Sequence, residues 1–259
     1  FTDSLIVGHA TTGTLSSADR NTAVGIDAMD AITQGDDNTV VGYNAAHVLT
    51  TGQYNTYIGR NSGSNNSTAN HNTGVGRYSL YYNTNGAENT GVGSAALAAN
   101  GAFARNSALG YHSLTAVTSG TGNIGLGYQA GNNITTGSGN VVIGNADVTA
   151  DADDQLSIST GDDGSVVWMT GDSSAKLTFP GALQVSGAVT VGVDDTGLDV
   201  KFFGASAGAY MEWDESADQL RIMGASADAV TSTGKLLLAT SLTDINASDV
   251  IGKIDFQAP

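Results

Sequence analysis

At 259 residues the chain has room for one or two domains. Nine basic side chains against 25 acidic ones give a formal charge of −16, which disfavours nucleic acid and anionic membranes as partners. Cysteine is absent, so there is no disulfide or thiol chemistry, and 35 glycines with only 13% charged residues do not suit an ordinary enzyme core. No stretch is apolar enough to span a membrane, and no signal peptide is recognisable. Phe1 in place of an initiator Met, and the strand-like end at residues 254–259, read as a fragment or processed chain that continues beyond 259.

Residues 1–20 contain a degraded block, Ser4-Leu5-Ile6-Val7-Gly8, that becomes strict from Asn21 onward. Asn recurs every 17 residues, at 21, 38, 55, 72, 89, 106, 123 and 140. Each block closes on an aliphatic residue and a glycine: Val24-Gly25, Val41-Gly42, Ile58-Gly59, Val75-Gly76, Val92-Gly93, Leu109-Gly110, Leu126-Gly127 and Ile143-Gly144. A fixed period of this kind marks a repeat architecture. Seventeen residues are too few for a helical pair but fit one turn of a β-solenoid, whose coils stack at about 4.8 Å. The aliphatic residue before each Gly is expected to point inward as the minimum core. A weaker apolar column lies seven residues after the Gly, at Leu15, Ile32, Leu49, Val117 and Ile134. The middle coils replace it with Asn66, Asn83 and Asn100 and carry Leu80, Leu97 and Leu114 instead. The closing Gly suits a left-handed corner or a close backbone approach. The repeated Asn suits a corner, a bond to its own backbone or a bond to its copy in the next coil. A second Gly at 35, 52, 86, 120 and 137 predicts another turn.

Nine such coils fill residues 1–144. The position after the Gly holds Tyr43, Arg60, Arg77, Tyr111 and Tyr128, a possible surface stripe. It fits stacking between coils, cation–π contact or contact between copies, and also a glycan or receptor surface. Coils this thin bury few large side chains, so lateral association is expected, with a homotrimer as the favoured closed assembly.

The period stops after Gly144, and residues 145–259 carry most of the acidic charge. Alternating short strands are predicted at 156–158, 166–168, 177–179, 183–185, 189–193, 198–202, 210–213, 220–223, 236–239 and 251–256. Residues 244–250 hold at most a brief helical turn. Residues 152–158, Ala-Asp-Asp-Gln-Leu-Ser-Ile, are echoed by residues 216–222, Ser-Ala-Asp-Gln-Leu-Arg-Ile. No heptad run supports a coiled coil. This half reads as a β-rich fibre shaft, with a β-sandwich as the alternative.

A search for chemistry finds little. His9, His47, His71 and His112 occupy four different phases of the repeat and cannot align as a metal ladder. No nucleophile elbow or phosphate loop is present. Adjacent acids at 36–37, 153–154, 162–163, 194–195 and 214–215 read as solvated turns, since glycoside hydrolysis needs carboxylates facing across a cleft. Asp147, Asp151, Asp153, Asp154, Asp162 and Asp163 are hard-oxygen candidates for Ca²⁺, without EF-hand spacing. No catalytic or cofactor-binding residue is assigned, and the chain is not expected to be an enzyme.

The Asn-Thr-x-Val-Gly blocks resemble the head repeats of YadA-type trimeric autotransporter adhesins. In that family a related Asn-Ser-Val-Ala-(Ile/Leu)-Gly motif builds a left-handed parallel β-roll. Thr stands for the family's usual Ser at residues 22, 39, 56, 73 and 90, while Ser107 keeps it, and the constant 17-residue coil is longer than usual. The chain as a whole is similar to bacteriophage tail-fibre and appendage proteins, notably those of marine cyanobacterial phages. The stretches carrying that likeness are residues 197–204, 211–218 and 251–256. The resemblance implies a left-handed parallel β-solenoid of 17-residue coils, followed by a trimeric shaft. It implies a homotrimeric virion fibre, structural or host-adhesive, with other virion proteins and a host glycan or receptor as its partners. A bacterial surface adhesin and a polysaccharide-degrading tail spike are the alternatives.

Overall fold

The structure is a computed structural model and describes residues 4–7, 17–99, 101–161, 163–187, 189, 191, 200–204, 208–214, 216 and 219–224. The predicted strands at 236–239 and 251–256, and the turn at 244–250, lie outside these residues. The chain divides into two units, residues 1–183 and 184–259.

The first unit is an all-β, left-handed β-solenoid of 17-residue coils. Each coil contributes one three-residue strand: β1 (Leu5–Val7), β2 (Thr22–Val24), β3 (Thr39–Val41), β4 (Thr56–Ile58), β5 (Thr73–Val75), β6 (Thr90–Val92), β7 (Ser107–Leu109), β8 (Ile124–Leu126) and β9 (Val141–Ile143). They pair in parallel and in strict register, Thr22 on Thr39, Val24 on Val41, and so on. β10 (Leu156–Thr160) adds a further parallel rung on β9 after a coil two residues shorter, Leu156 pairing with Val141. β11 (Val166–Gly171) and β12 (Leu177–Thr178) then continue the sheet antiparallel. No strand covers the predicted segment at 183–185.

Two features hold the coils together. The first is a column of buried asparagines. Each Asn Oδ1 accepts the backbone N–H of the next Asn; for Asn38 onto Asn21 this bond is 2.9 Å. The Asn38 amide also donates to Asn21 Oδ1 at 3.0 Å and to the Gly52 carbonyl at 2.9 Å. The pattern repeats through Asn140, and Gln155 extends it by donating its backbone N–H to Asn140 Oδ1 at 2.9 Å. Of the uses foreseen for this residue, the bond between coils is the one realised. The second feature is a set of left-handed corners at residues other than glycine. In the coil around Asn44 these are Asp37 (φ 57°), Asn44 (φ 52°) and Ala46 (φ 47°). Such backbone costs about 1–2 kcal/mol per residue. Each of these three N–H groups donates to a neighbouring coil: Asp37 to Asp19 O, Asn44 to Ile26 O and Ala46 to Ser62 O. The strain is offset by bonds that only the stack can make.

The second glycine of the repeat serves a different purpose from the one predicted. Gly52 has no left-handed φ; a Cβ there would lie 2.5 Å from the Ala69 carbonyl oxygen and 2.6 Å from Leu49. It permits close approach of coils. The closing glycines do need their conformation: Gly76 has φ +132°, and a Cβ would lie 2.5 Å from the Gly93 carbonyl oxygen.

The core also departs from expectation. Val24, Val41, Ile58, Leu109 and Leu126 are 37–51% exposed, and Val75, Val92 and Ile143 are half-buried. All eight belong to the outward face. The inward side chain is the middle one of each strand: Ala23, Val40, Tyr57, Gly74, Gly91, Ala108, Gly125 and Val142. Alternation along a three-residue strand requires this once the middle residue is inside. The rest of the core comes from the opposite wall, from Ile32, Leu49, Val117 and Ile134 and from Met29, Leu80, Leu97 and Leu114. The walls compensate each other. A Cβ on Gly125 would lie 2.8 Å from Leu114, and one on Gly63 would collide with the Tyr57 ring. Asn66 donates to the buried Tyr57 hydroxyl.

In the second unit, β13 (Val200–Phe203), β14 (Tyr210–Asp214) and β15 (Gln219–Met223) form an antiparallel sheet. One face aligns Lys201, Glu212 and Arg221; the other aligns Val200, Trp213 and Leu220 beside Phe202, Met211 and Ile222.

Candidate functional site

The surface that the repeat presents most uniformly is the outward face of β2–β9. It has two columns. One is aliphatic, Val24 through Ile143. The other is Thr22, Thr39, Thr56, Thr73, Thr90 and Ser107, and changes to Ile124 and Val141 at its end. The sequence reading missed this second column and the face it makes; strict alternation within each three-residue strand was the available signal. Between the columns, over β6–β8, lies a groove of about 230 Å³ walled by Thr90, Ser107 and Ile124 on one side and Val92, Leu109 and Leu126 on the other.

The stripe of Tyr43, Arg60, Arg77, Tyr111 and Tyr128 borders this face, one residue past each closing glycine, and all five are exposed. Arg60 lies 5.8 Å from the ring centres of both Tyr43 and Tyr78, and Arg77 lies 4.4 Å from Tyr78. Tyr111 and Tyr128 stack at 5.4 Å with planes 10° apart. Stacking along the coil axis occupies ring faces and leaves edges and hydroxyls toward solvent. Ser94 interrupts the stripe between its Arg and Tyr halves. A separate pair, Tyr54 and His71, stacks at 4.9 Å in another phase.

The acidic residues go to local structure. Asp37 forms a two-point ion pair with Arg20 at 2.6 and 2.8 Å, and that guanidinium holds its carboxyl below the usual range. Asp153 accepts the Ser138 N–H at 2.7 Å. Asp163 caps Ser165, whose hydroxyl and N–H hold its carboxyl down. Burial pushes the Asp147 carboxyl up. Asp162 lies outside the described residues, as does His9. Among the described residues no three His, Asp or Glu side chains come together in a group that could hold a metal ion. In the second unit, the buried Glu212 and Asp214 are paired with Lys201 at 2.9 Å and Arg221 at 2.8 Å, respectively. No described helix is long and apolar enough to cross a membrane.

No family model, curated protein or solved structure matched the chain.

Proposed function

We propose that the chain is a structural and host-adhesive fibre protein of a phage virion that works as a homotrimer, with the outward face of β2–β9 as the seam between copies. The observation that carries this reading is the unbroken aliphatic column on a surface. Interior positions range from Gly to Tyr because the opposite wall compensates. The outward column stays aliphatic in all eight coils, though water alone would favour polar residues there. A contiguous apolar strip of this length marks an interaction site. A partner repeating at the same spacing, such as a parallel copy of the chain, matches it coil for coil. The exposed apolar row of Phe202, Met211, Trp213 and Leu220 in the second unit fits the same need for sister chains.

Under this reading the chain runs no reaction of its own. Stacked backbone bonds stiffen each copy, and three copies multiply weak contacts with a host glycan or receptor. Placement on a phage rather than on a bacterial surface comes from the resemblance of residues 197–204, 211–218 and 251–256 to phage appendage proteins. Sedimentation equilibrium tests the assembly: three times 26.1 kDa is expected, and a monomer at all concentrations would refute it. Binding of the fluorescently labelled protein to a panel of whole bacteria tests adhesion, with selective retention on some strains expected.

A further inference from the structure

The corner that leads away from β4 and β5 reverses the charge of the chain. Residues 38–87 contain no Asp or Glu but do contain Arg60 and Arg77, in a chain of formal charge −16. After β5, Ser79 and Leu80 turn inward and are fully buried, which leaves Arg77, Tyr78, Tyr81 and Tyr82 at the surface. Tyr81 packs edge-on against Tyr78 and Tyr82, with ring centres 5.0 and 4.4 Å apart. Arg60 and Arg77 hold the same position in adjacent coils, about 4.8 Å apart along the stack. Like charges set opposite each other in this way are destabilising. Tyr78 lies beside both guanidiniums and offsets their charge without using their N–H groups. Among the described residues neither guanidinium donates a hydrogen bond or meets a carboxylate, whereas Arg20 is paired with Asp37 and Arg221 with Asp214. Asn65 stands at the Tyr82 position of the preceding coil. Its amide donates to the Tyr81 carbonyl at 3.0 Å, which leaves its Oδ1 as an acceptor.

We infer that this corner binds an anionic glycan, with Arg60 and Arg77 holding its carboxylate or sulfate groups; this rests on the host-adhesive role proposed above and names its ligand class. A guanidinium fork matches the paired oxygens of a carboxylate or sulfate and is unspent at both arginines. Tyr82, 45% exposed, offers an apolar ring surface to the C–H face of a sugar, and Asn65 Oδ1 accepts a sugar hydroxyl. An acidic peptide would satisfy the arginines but leave the ring and the carboxamide unused. The acidic residues elsewhere on the chain do not oppose binding here, because charges beyond about 8 Å are largely screened at physiological salt. They repel polyanions from the rest of the surface, so the contact is confined to this corner. Three copies would present three such corners to one polymer.

Biolayer interferometry of the full chain on immobilised polymers tests this. Polygalacturonate presents carboxylates on sugars and dextran sulfate presents sulfates; uncharged dextran and poly-glutamate are the comparisons. Expected is saturable binding to polygalacturonate or dextran sulfate, at least about tenfold tighter than to either comparison, and the tighter of the two identifies the anion. Arg60→Gln and Arg77→Gln keep side-chain length and should each weaken binding about tenfold, the loss of a charge-assisted hydrogen bond. Arg105→Gln removes the same charge from an exposed position in another column and should leave binding within about twofold. Far-UV circular dichroism checks that each variant is folded. Binding to poly-glutamate as tight as to the anionic glycans overturns the sugar assignment. A loss at Arg105→Gln equal to that at Arg60→Gln overturns the corner as the site. A wild type retained on bacteria that binds neither anionic polymer overturns the ligand class and leaves the adhesive role standing; one that binds neither polymer nor any bacterium overturns both.

Discussion

Replacing Asn89 with Ala removes one link of the buried asparagine column. Asn89 Oδ1 accepts from the Asn106 N–H at 3.0 Å, and its amide donates to Asn72 Oδ1 at 3.1 Å and to the Phe103 carbonyl at 2.8 Å. The substitution strands the Asn106 N–H and deprives the Phe103 carbonyl of a donor, while Asn72 Oδ1 keeps the Asn89 backbone N–H at 3.0 Å. A stranded buried group costs about 1–3 kcal/mol, so two give about 2–6 kcal/mol. Coils couple chiefly to their neighbours, so a lesion mid-stack also broadens or splits the transition. Urea denaturation followed by circular dichroism reads the loss, and hydrogen exchange at the Asn106 amide locates it. Asn89→Asp preserves size but sets a carboxylate oxygen against two acceptors. Burial raises that carboxyl in the folded state. Its penalty is therefore full above the raised folded value and fades as pH falls toward the unfolded value of about 4. An Asn89→Ala protein within about 0.5 kcal/mol of wild type, with the Asn106 amide still protected, would refute the column as a source of stability.

Gly76→Val combines an unfavourable φ of +132° with a contact 2.5 Å from the Gly93 carbonyl oxygen. A loss of at least about 3 kcal/mol and a lower yield of assembled protein are expected, while Gly181→Ala, with nothing within 4 Å of its Cβ, leaves the melting temperature unchanged. Tyr57→Phe strands the Asn66 amide and should cost about 1–3 kcal/mol in thermal melts, against little for Tyr82→Phe, whose side chain is 45% exposed. Burial also pushes the Tyr57 phenol up, so its ionisation opposes folding. Stability should fall as pH rises past the unfolded phenol value of about 10, and in ultraviolet titration one of nine tyrosines should stay silent until the protein unfolds.

The period, the all-β class and the parallel stacking were legible because a 17-residue repeat admits few structures. Ile32, Leu49, Val117 and Ile134 were correctly read as an apolar column. The inside and outside of the strand were reversed, since the interior column, Ala-Val-Tyr-Gly-Gly-Ala-Gly-Val, shows no constancy that marks a core. Its constancy lies in the sum of both walls, as with Gly125 against Leu114, and a sum across the coil is invisible in any single column. The left-handed corners at Asp37, Asn44 and Ala46 gave no sign either, because the bonds that stabilise them come from other coils. The rung at β10 was hidden by a coil of 15 residues between Asn140 and Gln155.

The energetics of the outward face set how strongly the proposed assembly could hold. An aliphatic side chain about 40–50% exposed leaves roughly 60 Å² in water, worth about 1.5 kcal/mol when buried. The five most exposed, Val24, Val41, Ile58, Leu109 and Leu126, give about 8 kcal/mol per copy and the half-buried Val75, Val92 and Ile143 add less, a sum of the same order as the roughly 4–15 kcal/mol that association costs. The aliphatic column as a whole therefore brings association only near balance. A regular face of small residues would align copies without holding them. Ile124 and Val141, which stand where most coils have threonine, add apolar surface to this face, at about 0.8 kcal/mol per buried methylene. That increment is small per residue, but near balance each 1.4 kcal/mol shifts the association constant tenfold. The few coils that depart from the repeat are thus the ones whose substitution should change assembly most.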